Sequence, residues 1–168
     1  MKLYILRHGD AGVRGDAAYP NDDERPLSSK GIARTEELAR RLKRWKIEFD
    51  AILTSPLVRA RETAEIVARG LKAKDRVVLT EQLAPSGDVA KLVLEVNTML
   101  PTPENVLLVG HEPYLGHLIS RLCTANSDLA LTLKKGGLCR LDIETLRAER
   151  CAYLEWLLAP SVIEGRQK

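Results

Sequence analysis

Four short apolar runs, Leu3-Tyr4-Ile5-Leu6, Ala51-Ile52-Leu53-Thr54, Val77-Val78-Leu79-Thr80 and Val106-Leu107-Leu108-Val109, alternate with segments whose apolar residues recur at helical spacing. This alternation constrains the fold more than any other feature. A continuous run of leucine and β-branched residues suits a strand covered on both faces, and parallel strands so covered need crossover helices between them. The pattern predicts an α/β, three-layer sandwich with a mainly parallel central sheet and helices on both faces. Leu129 to Leu133, Leu138 to Ile143 and Cys151 to Leu158 read as further strands, joined by turns at Lys135-Gly136-Gly137 and around Thr145-Leu146, that finish the sheet with an antiparallel edge.

The helical segments carry their own start and stop signals. Ser28 or Ser29 caps a first helix that is expected to bury Ile32, Leu38, Ala39, Leu42 and Trp45, leaving Arg40-Arg41-Leu42-Lys43-Arg44 as a solvated basic face. Ser55 and Pro56 read as the cap and first turn of a second helix lined by Leu57, Ala60, Ala64, Val67 and Leu71. Asp88 caps a third, with Val89, Leu92, Val93, Val96 and Leu100 in phase, stopped by Pro101 and Pro103. A fourth runs through Leu115, Leu118, Ile119 and Leu122.

At 168 residues the chain reads as one domain over 1–160, with 161–168 a short polar tail outside the fold. The formal charge is +3, but acids and bases are interleaved and aromatic residues make up only 4%. A nucleic-acid groove would need a basic stripe with stacking platforms, so no nucleic-acid partner is expected. The longest apolar stretches are strand-sized, which gives neither a membrane span nor a signal peptide. Cys123, Cys139 and Cys151 are odd in number and widely spaced, as expected of reduced thiols in a cytoplasmic protein.

The chemistry concentrates where predicted strands give way to loops and helices. Arg7-His8-Gly9 follows the first run, Ser55-Pro56-Leu57-Val58-Arg59-Ala60-Arg61-Glu62-Thr63-Ala64 the second, and Gly110-His111-Glu112-Pro113 the fourth. Ligands of open α/β sheets bind outside the carboxyl ends of the strands, where helix N-termini favour anions. Two histidines and two arginines converging there suit a phosphoryl group. Neutral imidazole is a competent nucleophile toward phosphorus, and a guanidinium offers a planar fork of donors to the non-bridging oxygens. The irregular stretch from Asp10 to Pro26 is the expected substrate-facing loop.

These three segments resemble the signature of the histidine phosphatase superfamily, the phosphoglycerate-mutase-like fold. Leu6-Arg7-His8-Gly9-Asp10-Ala11, Arg25-Pro26-Leu27 and Leu83-Ala84-Pro85-Ser86-Gly87-Asp88-Val89 are similar, more narrowly, to the small SixA-type phosphohistidine phosphatases. The resemblance implies that His8 carries a transient phosphoryl group and that Arg7, Arg59 and His111 bind its oxygens. It further suggests Gly9 and Arg25 as substrate-binding residues. Arg25 has an alternative reading, as an ion-pair partner of Asp22, Asp23 or Glu24. No metal or other cofactor is implied, because arginine and histidine supply the positive charge.

The general acid is where the chain departs from the wider superfamily, whose phosphomonoesterases and mutases usually carry a glutamate just after the third strand. Here that segment reads Thr80-Glu81-Gln82-Leu83-Ala84, leaving Glu81 and Asp10 as the two candidates. A missing acid would hurt ester hydrolysis more than hydrolysis of a phosphohistidine, whose imidazole leaves readily. The expected activity is therefore metal-independent removal of phosphate from histidine of a partner protein, such as a phosphotransfer domain of a histidine-kinase relay. A broad small-molecule phosphomonoesterase and a silent phosphoprotein-binding module are the alternatives. His117 reads as a structural or surface residue.

Overall fold

The computed structural model describes residues 1–126 and 129–165. Its centre is a six-stranded sheet formed by β1 (Lys2–Arg7), β2 (Ala51–Thr54), β3 (Val77–Leu79), β4 (Asn105–Gly110), β5 (Leu138–Ile143) and β6 (Ala152–Leu158), in the order β3-β2-β4-β1-β5-β6. The first four strands are mutually parallel, and β5 and β6 add an antiparallel edge. Alternate residues of β1 point to opposite faces: Leu3 and Ile5 join one apolar cluster, Tyr4 and Leu6 the other.

Helices α1 (Ser29–Arg44) and α2 (Val58–Leu71) cover one face, contributing Leu38, Leu42, Ala60, Ala64 and Val67 to the cluster around Tyr4 and Leu107. Helices α3 (Val89–Asn97) and α4 (Tyr114–Thr124) contribute Leu92, Val96, Leu115, Leu118 and Ile119 to the cluster on the other face. The predicted three-layer α/β sandwich is thus the observed one, including its antiparallel edge.

Local chemistry explains where the helices begin. Ser28 Oγ accepts the Gly31 N–H at 3.0 Å, and Asp88 Oδ1 accepts those of Ala90 and Lys91 at 2.7 and 3.1 Å. At Gly31 the first turn of α1 rests directly on the loop after β1, since a Cβ there would lie 1.9 Å from the Asp10 carbonyl oxygen. Only glycine permits that approach.

Several expectations fail for identifiable reasons. Ser55 does not cap α2, which begins at Val58 after Leu57 with no side-chain cap; the Ser55 hydroxyl accepts the Leu57 N–H and meets the site described below. Trp45 and Ile32 stay about two-fifths exposed, and α3 ends at Asn97, leaving Leu100 almost fully exposed. Leu129 to Leu133 form no strand; the segment is irregular, and the main chain of Leu133 bonds to Arg7 and Glu112 instead of to a neighbouring strand.

The tail also differs from its expectation. Pro160–Ile163 form a short helix, α5, and Ile163 is buried in the α1–α2 cluster. Arg34 pairs with Glu164 at 2.9 Å and Arg41 donates to its carbonyl, so the tail is packed through Gly165, and of the tail only residues 166–168 fall outside the described residues. No described helix is long and apolar enough to cross a membrane, and all three cysteines are free thiols.

Candidate active site

The carboxyl ends of β1 and β4 and the first turns of α2 and α4 border a cleft of about 690 Å³. Arg7, His8, Arg59 and His111 line it together with Asp10, Gly12, Arg14, Asp22, Arg25, Glu112 and Lys135. Five fixed cations therefore face three carboxylates. A second cleft of the same volume lies beyond the start of β1, between Trp45 and Trp156, and has no histidine or reactive constellation in its walls.

His8 immediately follows β1. Its Nδ1 lies 2.7 Å from the Gly9 carbonyl, which can only accept, so the ring proton belongs on Nδ1 and Nε2 keeps its lone pair. Burial drives the His8 pKa down to about 3, an effect opposed by the Gly9 bond and reinforced by Arg59, Arg7 and Lys135. The ring is consequently neutral and nucleophilic at physiological pH.

Gly9 holds this geometry from the main chain. Its N–H donates to Thr63 Oγ1 at 3.0 Å, and the Thr63 hydroxyl in turn donates to the Arg59 carbonyl at 2.7 Å. One threonine side chain thereby ties the loop bearing His8 to the helix bearing Arg59. A Cβ on Gly9 would press on Thr35 Oγ1 at 2.9 Å.

His111 stands against His8, with ring centroids 5.0 Å apart. Its Nε2 is 2.9 Å from Ser55 Oγ, which already accepts the Leu57 N–H at 3.3 Å. When the Ser55 hydroxyl donates its proton to Nε2, the His111 proton sits on Nδ1. Burial first, then His8, Arg59 and Arg7, bring the His111 pKa to about 3, against a weaker upward pull from Asp22.

Both arginines are held on one side and open on the other. Arg7 Nη1 donates to the Leu133 carbonyl at 2.8 Å, and Arg59 Nη1 to the Asp22 carbonyl at 2.7 Å. Arg7 Nε, Arg59 Nε and His111 Nδ1 are buried without a hydrogen-bond partner. Leaving a buried N–H unpaired costs about 1–3 kcal/mol. Three such nitrogens on residues that line one cleft fit a bound oxyanion.

The remaining predicted residues divide. Arg25 is buried, bonded through Nε to Asp22 Oδ1 at 2.8 Å and through Nη1 to the Gly12 carbonyl at 2.7 Å, so it belongs to the cleft and also makes the ion pair offered as its other reading. Asp10 lies in the cleft, but as a carboxylate: burial raises its pKa, and hydrogen bonds from Lys135 and Ser28 outweigh that and lower it. It is ill suited to donate a proton. Glu81 begins a 3₁₀ turn, is exposed and does not line the cleft.

Asp22, Ser55, Thr63, Glu112 and Lys135 were not singled out for the site from sequence. Ser55 and Thr63, inside the quoted Ser55-to-Ala64 segment, Glu112, inside Gly110-His111-Glu112-Pro113, and Lys135, in a predicted turn beside Gly136, carried a local signal, and Asp22 entered only as a possible ion-pair partner of Arg25. Among the described residues no group of three or more His, Cys, Asp or Glu is placed to hold a metal ion.

The sequence profile of the histidine phosphatase superfamily (branch 1) matches residues 3–85. The phosphohistidine phosphatase SixA of Escherichia coli (strain K12) is 32% identical over 148 residues, covering 82% of this chain and 88% of that protein. A solved structure of the protein histidine phosphatase SixA complexed with tungstate superposes with a TM-score of 0.81 at 26% identity, over 97% of this chain and 99% of that one. A SixA-type structure from Agrobacterium tumefaciens shares the fold with a TM-score of 0.75 at 23% identity, over 95% and 97% of the two chains. With its two histidines and two arginines around one cleft and these relatives spanning nearly its whole length, the chain belongs to the histidine phosphatase superfamily, among its small SixA-type members.

Proposed function

We propose that this chain is a phosphohistidine phosphatase that removes phosphate from histidine of a partner protein by way of a phosphoryl group carried on His8. The observation that carries the reading is the free Nε2 of a neutral His8 beside three buried, unpartnered nitrogens: Arg7 Nε, Arg59 Nε and His111 Nδ1. His8 Nε2 attacks phosphorus, the bond to the leaving nitrogen breaks, and the charge on the three non-bridging oxygens is met by donors already in position. Water then attacks the phosphorylated His8 and releases phosphate. The SixA relative, and an SixA structure that holds an oxyanion, support this assignment.

The choice of substrate rests on the acid. Neither Asp10, ionised and hydrogen-bonded, nor Glu81, outside the cleft, is set to protonate an alkoxide. An imidazole needs no such help. We expect kcat/KM for a protein phosphohistidine to exceed that for sugar phosphates or phosphoglycerates by at least about tenfold, roughly 1.4 kcal/mol of transition-state discrimination. Initial rates across the two substrate sets decide it, and equal or faster turnover of a small ester would favour the phosphomonoesterase reading. A silent binding module is disfavoured by the unencumbered nucleophile.

Exhaustive chelation is expected to leave the rate unchanged, because fixed arginines meet the transition-state charge. A loss restored by magnesium or zinc would remove this mechanism. The proposed partner is a histidine-bearing phosphotransfer domain of a kinase relay in the cytoplasm. The loop from Asp10 to Arg25 would form the contact surface, since Val13 is three-quarters exposed and Arg14 beside it lines the cleft mouth.

A further inference from the structure

Three carboxylates line the cleft, and in two of them both oxygens accept hydrogen bonds. Glu112 accepts the Gly116 N–H on Oε2 and the Leu133 N–H on Oε1. Asp10 accepts Lys135 on Oδ1 and Ser28 on Oδ2, both at 3.0 Å. Asp22 is different. Its Oδ1 takes the Arg25 Nε–H at 2.8 Å, whereas Oδ2 lies 3.3 Å from Arg59 Nη2 as an ion pair and accepts no hydrogen bond. Among the described residues it is the one cleft carboxylate oxygen that accepts no hydrogen bond, and it stands beside a guanidinium proposed to hold the phosphoryl group.

A carboxylate in that position repels a phosphate dianion and attracts a cationic group on the substrate. A phosphorylated imidazole supplies one. When the ring nitrogen that does not bear phosphorus is protonated, the ring is a cation with an N–H directed away from the phosphoryl group. On attack by His8 Nε2 the P–N bond breaks, its electron pair returns to the ring nitrogen that held phosphorus, and the group that leaves is neutral imidazole, still carrying the proton on its other nitrogen. No proton need be delivered during the transfer.

We infer that Asp22 is a specificity-determining residue whose Oδ2 accepts a hydrogen bond from the N–H of the substrate's phosphorylated imidazole. The inference rests on the phosphohistidine reading and deepens it. Asp22 favours the protonated, transfer-ready ring and so replaces the general acid that the cleft lacks. It is faced by Arg14 and Arg25 of its own loop, by Arg59 of α2 and, more distantly, by His111. The Arg25 hydrogen bond, then Arg59 and Arg14, outweigh the effect of burial and hold its carboxyl below the usual range, so Asp22 is ionised wherever the substrate ring titrates.

The test compares wild type with Asp22→Asn and Asp22→Glu on two probes: a phosphotransfer domain phosphorylated on histidine, and p-nitrophenyl phosphate, whose phenolate leaves without a proton. Asp22→Asn should lower kcat/KM for the phosphohistidine at least tenfold more than for the aryl ester and move the phosphohistidine pH profile toward acid, because an unsupported ring protonates only at lower pH. Asp22→Glu should recover part of that selectivity. Equal losses on both probes would mean that Asp22 only positions Arg25 and Arg59, and would overturn the inference, as would an unchanged selectivity or pH profile. If wild type itself fails to turn over the phosphohistidine, the functional reading fails first, and the two failures are told apart.

Discussion

His8→Ala should abolish turnover, with a loss in kcat of at least about 10³-fold, or roughly 4 kcal/mol, while the protein remains folded. The side chain lies just past the end of β1, and the main-chain bonds that place it survive its removal: His8 N–H to the Gly110 carbonyl at 3.0 Å and Gly9 N–H to Thr63 at 3.0 Å. Wild-type enzyme quenched with denaturant at alkaline pH should carry acid-labile phosphate on His8, detectable by peptide mapping under alkaline conditions. His111→Ala should retain that label at reduced rate, since His111 contributes a donor and not the bond to phosphorus. Normal turnover by His8→Ala, or label found on His111 alone, would reverse the roles assigned to the two rings.

Arg59→Lys should be nearly as damaging as Arg59→Ala, each costing about 10²- to 10³-fold in kcat/KM, the range typical of one lost transition-state donor. Charge alone is not what Arg59 supplies. Its fork is split between two tasks, Nη1 on the Asp22 carbonyl and Nε buried without a partner, and an ammonium cannot hold the first while donating from the position of the second. Arg7, with Nη1 on the Leu133 carbonyl and Nε unpartnered, is built in the same way. Steady-state kinetics of the lysine variants settle the matter. Wild-type rates would show that diffuse positive charge suffices, whereas partial rescue of Arg59→Ala by added guanidinium would support the fork.

The parts of this molecule that could be read from sequence are those in which one stretch of chain carries its own explanation. Strands β1, β2 and β4 are buried on both faces and are continuous in apolar residues, and Ser28 and Asp88 announce the helices they cap. His8, Arg59 and His111 were legible because each follows a strand. What escaped is fixed by partners distant in sequence. Leu129 to Leu133 alternates like a strand, yet Leu133 spends its carbonyl on Arg7, 126 residues away, and its N–H on Glu112. Ser55-Pro56 has the form of a helix start, but the hydroxyl is taken by His111, 56 residues on. The tail looked polar, and it is docked by Ile163 in the α1–α2 cluster together with Arg34 and Arg41 of α1 on Glu164. Asp22 was visible only as a possible ion-pair partner of Arg25, because nothing in the run Asp22-Asp23-Glu24 says which acid turns toward Arg59.

The hydroxyl of Thr63, which links Gly9 to Arg59, separates the molecule into a part that reacts and a part that chooses. Nucleophile and guanidinium are locked together when the chain folds, and no substrate is needed to assemble them. Asp22 and Arg25 belong instead to an irregular surface loop, the kind of segment that accepts change in sequence and length with least damage to a core. Transplanting residues 12–25 between relatives of this size should therefore exchange preference, and should keep the chemistry where the new loop again offers Arg59 the main-chain carbonyl that Asp22 supplies here. That makes the loop the place to redesign what the enzyme accepts.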